Sequence, residues 1–249
     1  MNVFLTLWRR ELAATFLSPI AYVVSMFFLL VTGFNFYILA DLMGSERVSI
    51  TDVMGQVFGS VLFFWPTFLV LVSALTMRVF AEENRSGTIE SLMTAPVTEW
   101  AVVLAKFFGV MTSFVFIWLP TVAYAFILEG FSEESVPLDV GPMIGGYVGT
   151  ALLGMFYTSI GVLASALSRN QIVSAIGCFG LSCLAFFFGF LHYGNPPGFL
   201  REISLYGSSV LRQLDFSRGL LDTRPIVLYL SGTLFMLFTT VRVLEARRW

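Results

Sequence analysis

The sequence predicts an all-α protein that crosses a membrane six times, and three observations predict it. Of 249 residues, 57% are apolar and 12% charged, with mean hydropathy +0.84; that polar fraction is too small to coat a soluble globule, so lipid must be the solvent. Apolar runs of spanning length fall at residues 20–40, 57–77, 100–128, 142–167, 172–191 and 226–244, each close to the roughly 20 residues a helix needs to cross the hydrocarbon core. Aromatic residues make up 16% of the chain and 27 of them are Phe, which enters hydrocarbon with no polar group to satisfy.

Residues 1–18 precede the first run. Phe4, Leu5, Trp8 and Leu12 share one helical face, and Asn2, Thr6, Arg9 and Ala13 share the other, the pattern of an interfacial helix on the cytoplasmic leaflet. Simple continuation of the first span is the alternative, which Arg9, Arg10 and Glu11 disfavour; the same charges argue against a cleavable signal. The second and third spans carry Pro66 and Pro120, either kinks that accommodate movement or shapers of static packing.

The loop before the fourth span holds Glu129, Glu133, Glu134 and Asp139 and no base, as an external loop does. Small residues from Gly141 through Gly145, Gly146, Gly149 and Gly154 let the fourth span approach its neighbours closely. In the fifth, Cys178 and Cys183 stand five apart, on different sides of a helix, and read as buried thiols. Phe186, Phe187 and Phe188 suit lipid contact or an apolar substrate path. The segment 192–225 is longer than a connector needs. It opens on Asn195-Pro196-Pro197-Gly198 and continues with Phe199, Ile203, Val210 and Leu214 at helical spacing, predicting short amphipathic helices at or dipping into the outer interface.

Six spans put both termini on one side. Arg9, Arg10, Arg78, Arg85, Lys106, Arg169, Arg242, Arg247 and Arg248 fall there, against Arg47, Arg201, Arg212, Arg218 and Arg224 opposite, so both ends are expected in the cytoplasm. The four arginines after the fifth span dissent.

Absences narrow the function. No Asp or Glu lies inside a span, which argues against an ion-coupled carrier. Lys106, the one lysine, sits in Leu104-Ala105-Lys106-Phe107-Phe108 without the glycine-rich turn of a phosphate loop, so the chain binds no ATP of its own. The single histidine, His192, lies at a span end and reads as an interfacial polar residue; no catalytic set and no nucleic-acid patch is visible.

The positive signal is the loop 79–97 on the side of the termini. Gly87 permits a sharp turn, Thr88 can cap a new helix, Glu90 suits its first turn and Pro96 stops it, while Ile89, Leu92 and Met93 form one apolar face. Such a helix can seat in a partner's groove and transmit its movement. An amphipathic connector resting on lipid headgroups would carry the same pattern.

Resemblance separates the two. The stretch 80–92, followed by Ala95-Pro96-Val97, resembles the coupling segment of type-2 ABC transporter permeases, whose usual pattern E-[KR]-x-x-G-T-x-E-x-L-x-x-x-P is matched across 82–96, with Asn84 where a base is common. The N-terminal helix, the six spans, the structured outer loop and the basic C-terminus resemble that family too. The stretch 215–224 resembles its gliding-motility and copper-enzyme-maturation branch. The resemblance implies a half-transporter: two permease chains, identical or related, on two cytoplasmic ABC ATPase subunits, in the bacterial inner membrane. ATP and Mg would sit on the ATPase, and no cofactor on this chain. Glu82, Glu83 and Arg85 would make salt links to the ATPase, Gly87, Thr88 and Glu90 would shape the coupling helix, and Ile89, Leu92 and Met93 would fill the ATPase groove. The implied activity is ATP-driven export or extraction of a substrate. The alternative is a force-transmitting subunit of an envelope machine, with a periplasmic or envelope partner.

Overall fold

The computed structural model describes residues 3–45, 57–59, 63–89, 97–131, 140–194 and 197–246. Among these no strand occurs, and six helical stretches are long and apolar enough to cross a membrane: Pro19–Asp41, Phe64–Ser86, Glu99–Ile127, Val140–Leu167, Gln171–Phe188 and Thr223–Ala246. The protein is an all-α, multi-pass membrane protein.

The described helices are α1 (Val3–Phe16), α2 (Pro19–Ser45), α3 (Phe64–Thr76), α4 (Ala81–Ser86), α5 (Glu99–Trp118), α6 (Val122–Phe131), α7 (Val140–Leu167), α8 (Gln171–Phe188), α9 (Gly198–Tyr206), α10 (Ser209–Ser217) and α11 (Thr223–Ala246). Local chemistry sets several ends. Thr98 caps α5, its Oγ1 accepting from Ala101 N–H at 3.3 Å, and Asn170 caps α8, its Oδ1 accepting from Ile172 N–H at 2.9 Å. Pro120 lies in a 3₁₀ turn, Leu119–Thr121, that joins α5 to α6; the third span changes pitch where the ring would collide with the preceding turn. Pro66 kinks nothing in α3, because it falls in the first turn, where a missing N–H costs no bond.

The fourth span, α7, is the axis of the bundle. Its small residues admit neighbours on several sides. A Cβ on Gly161 would lie 2.2 Å from Thr76 Oγ1 of α3, and one on Gly145 would lie 2.1 Å from the carbonyl oxygen of Phe216 in α10. Within a bilayer, helices gain little from expelling apolar surface, so this close van der Waals approach is what holds them. Around α7 the rings of Trp65, Phe68, Phe114 and Tyr157 meet edge-on or tilted, with Phe68 and Phe114 centroids 5.8 Å apart. By contrast α2 shows Tyr22, Met26, Leu30, Phe34 and Tyr37 to the outside. Tyr22 and Tyr37 are about 22 Å apart along the helix, a spacing that suits rings at the two edges of the hydrocarbon layer.

Between the fifth and sixth spans, α9 and α10 follow one another across Gly207 and Ser208, and α10 packs along α7. Gln213, fully buried, donates from Nε2 to Gly146 O at 3.2 Å and Thr150 Oγ1 at 3.0 Å. At the start of α10 Ser209 Oγ meets Tyr157 Oη at 3.1 Å. Tyr157 lies about 16 Å along α7 from Gly146, so α10 lies along that length of the fourth span.

Candidate functional site

Of the residues singled out in the sequence, Glu82, Glu83 and Arg85 lie on α4, which ends at Gly87, and most of the helix expected to start at Thr88 lies outside the described residues. α3 ends in a turn at Met77–Phe80, and α4 begins without a cap of its own. Its leading amides are satisfied from the fourth span: Phe80 N–H and Ala81 N–H donate to Ser165 Oγ at 3.0 and 3.1 Å. The favour is returned, because Asn84 Nδ2 donates to Ala166 O at 3.3 Å and Ser168 O at 2.8 Å, carbonyls at the end of α7 that have no intrahelical donor. Each helix therefore caps the other.

Asn84→Ala is expected to destabilise the purified chain by about 1–3 kcal/mol, the worth of two part-buried hydrogen bonds, read as a lower thermal unfolding midpoint. Asn84→Asp should cost more, since it sets a carboxylate against the negative end of α7. Unchanged midpoints in both variants would show that the caps carry no stability.

A second fixture is ionic. Lys106, 4% exposed, donates to Glu83 Oε1 at 2.9 Å, to Glu11 Oε1 at 3.0 Å and to Val79 O at 2.9 Å. An ammonium has three donors, and here all are used; the Phe80 ring centroid lies 5.1 Å from Nζ. Arg10 Nη2 stands 4.0 Å from the same Glu83 oxygen. One cation thus joins α1, the end of α3, α4 and α5. Beside it Arg78 donates from Nη1 to Ser18 Oγ at 2.5 Å, and its Nε stands 3.5 Å from Glu82 Oε2, which ties α3 to the elbow between α1 and α2.

Around these polar contacts Val79, Phe80, Val102, Phe107, Val162, Val241 and Leu244 form a buried cluster drawn from α5, α7, α11 and the turn before α4. The site is a short helix on a rigid seat at the end of the bundle where α1 and the last turn of α11 lie.

Residues 44–210 match the family described as ABC-2 family transporter protein. The chain belongs to that family. No curated protein matches it. The ABC-2 match takes in α3 to α9 and with them Lys106, Ser165 and Asn84; Glu11 of α1 lies outside it.

In this ABC-2 chain the residues expected to face an ATPase divide. Glu82, with its side chain 56% exposed, and Arg85, Ser86, Gly87 and Thr88 stand outward. Gly87 has φ 72°, the left-handed conformation that ends a helix and that a side chain would strain. Ser86 Oγ links Glu82 O at 2.9 Å and Thr88 Oγ1 at 2.9 Å, bracing that turn. Glu83 faces inward: its side chain is 15% exposed and it is joined to Lys106. Ile89 is partly buried against the chain's own cluster. Glu90, Leu92 and Met93 lie outside the described residues.

Sequence reasoning missed Lys106, Glu11 and Ser165 as parts of this site. A lone lysine within an apolar run was the available signal, because a charge at such a place needs a partner. Asn84, where the resemblance expects a base, caps the end of α7 with its amide.

Proposed function

We propose that this chain is the permease subunit of an ATP-driven exporter, moved by a separate cytoplasmic ATPase that docks on the segment 82–95 and coupled to a second permease chain. The observation that carries the reading is the mounting of α4: one face is bolted to α1, α5 and α7, and Arg85 on the other face is exposed. A helix held this way moves as one body with the spans beneath it. A push on its outer face would reach α7 through Ser165 and Asn84, and α5 and α1 through Lys106. ATP and Mg belong to the partner, and this chain's residues supply only the docking face and the lever. Both termini then lie in the cytoplasm, and α9 and α10 lie on the outer side. The cargo would be exported or drawn from the membrane.

The test is purification of the tagged chain in mild detergent with mass spectrometry of what accompanies it, beside a variant with Arg85→Glu and Leu92→Arg. A separate ATPase is expected to accompany the wild type and to fall by about tenfold or more with the variant, the cost of reversing one contact charge and burying another. If an ATPase accompanies both equally, this face is not the dock. If none accompanies either in conditions that preserve complexes, the exporter reading fails.

A further inference from the structure

A cavity of about 410 Å³ opens between the elbow of α1 and α2, the end of α3, α4 and α5. That is within the roughly 300–1,000 Å³ of sites for small molecules. Its lining is graded in polarity, in the same direction on three separate elements. In the turn after α3 stands Arg78, and Ala74 and Leu75 of α3 lie deeper. On α5, Lys106 gives way one turn deeper to Val110, and from the elbow into α2, Ser18 gives way to Ala21 and Val24. Such a gradient, charged at the edge of the bundle and aliphatic inside, is that of an amphiphile standing in a leaflet.

The charges at the rim say which head it accepts. Lys106 is closed off by Glu11 and Glu83. Arg10 is largely unused, its side chain 64% exposed and Glu83 Oε1 4.0 Å away. Arg78, 32% exposed, and Glu82, 56% exposed, pair with one another at 3.5 Å, and Arg78 also donates to Ser18 Oγ, so a head carrying both charges would exchange with that pair. Two guanidiniums and a carboxylate at one mouth match a head that carries a phosphate and an ammonium together.

We infer that this cleft holds one zwitterionic glycerophospholipid, with its phosphate on Arg10 and Arg78, its ammonium on Glu82, and an acyl chain over Leu75, Val24 and Val110. Because α4 forms one wall, the lipid touches the mounting of the coupling segment directly. That consequence, and the assignment to the cytoplasmic leaflet, rest on the function proposed above; the binding itself does not.

The full chain is placed in nanodiscs of equal parts phosphatidylethanolamine and phosphatidylglycerol, released into mild detergent, and the lipid it retains is measured by native mass spectrometry. One phospholipid per chain is expected, enriched in phosphatidylethanolamine. Val24→Trp, which fills the aliphatic floor, and Arg78→Gln should each weaken retention by about tenfold or more, the size of one charge-assisted hydrogen bond. Glu82→Gln should shift the enrichment to phosphatidylglycerol, and Arg242→Gln, outside the cleft, should change nothing. Val24→Phe replaces Val24→Trp if the larger ring lowers the unfolding midpoint.

Retention that ignores the floor variants but falls with Arg78→Gln, and that inorganic phosphate displaces, would assign the site to a soluble phosphate and overturn the lipid. Equal retention of both lipids by wild type and Glu82→Gln would overturn the zwitterion. Retention unchanged in every variant would overturn the site. Co-purification of the ATPase is read on the same samples, so its loss bears on the proposed function and loss of lipid alone bears on the cleft.

Discussion

Lys106→Met is expected to lower the unfolding midpoint of the chain by roughly 10 °C, because breaking a buried ion group by removing one partner costs about 3–5 kcal/mol. The ammonium is the common partner of Glu11 and Glu83, whose oxygens lie 3.0 and 2.9 Å from it. Without it two largely buried carboxylates face each other, with Arg10 only at 4.0 Å. Neutralising the whole group separates stability from coupling. In Lys106→Met combined with Glu11→Gln and Glu83→Gln no buried charge is left unpaired, and replacement of a complete ionic group is often close to neutral. The midpoint of that triple variant should return to near wild type. The partner ATPase should still co-purify, yet its turnover should no longer respond to the permease, since α1 and α4 are no longer held to one point on α5. Normal coupling in the triple variant would mean that the ionic group serves packing alone.

Gly145→Ala is expected to detach α10 from α7. The added Cβ would meet the Phe216 carbonyl oxygen at 2.1 Å, and a backbone atom of a packed helix cannot swing aside as a side-chain end can. Overpacking of this kind costs about 1–3 kcal/mol, and displacing α10 also strands Gln213, whose Nε2 bonds to Gly146 O and Thr150 Oγ1 are made at the same contact. The readout is thiol labelling by a membrane-impermeant maleimide at Ser217→Cys, a fully buried position, in a chain with Cys178→Ala and Cys183→Ala. The thiol should stay unlabelled with Gly145 present and react with Ala in its place. Equal protection in both would show that α10 finds another seat.

The spans were legible because a bilayer imposes length and polarity on every helix that crosses it, so apolar runs in the sequence became helices in the structure. The close approach at Gly145 was foreshadowed by the run of small residues, and the break at Pro120 by the ring itself. Pro66 misled, since its cost depends on where the helix starts, and α3 starts at Phe64. The charged residues of α4 were legible as a group, but not the direction each one takes. Glu83 turns inward for a lysine 23 residues later in the chain, and Asn84 for carbonyls of α7 that lie 82 and 84 residues on. Local spacing carries no information about such distant partners.

The mutual capping of α4 and α7 also constrains how the chain is made. Phe80 N–H and Ser165 Oγ are separated by 85 residues, and Glu11 waits 95 residues for Lys106. At about 5–20 residues per second of synthesis, the end of the second span spends roughly 4–17 s with its leading amides unclaimed before the fourth span emerges. During that interval those groups must stay in water or against the insertion machinery, because hydrocarbon offers them nothing. The mounting of α4 is therefore completed late, at the step where the fourth span enters the membrane, and a ribosome paused before residue 165 would hold a chain whose α4 is still unmounted.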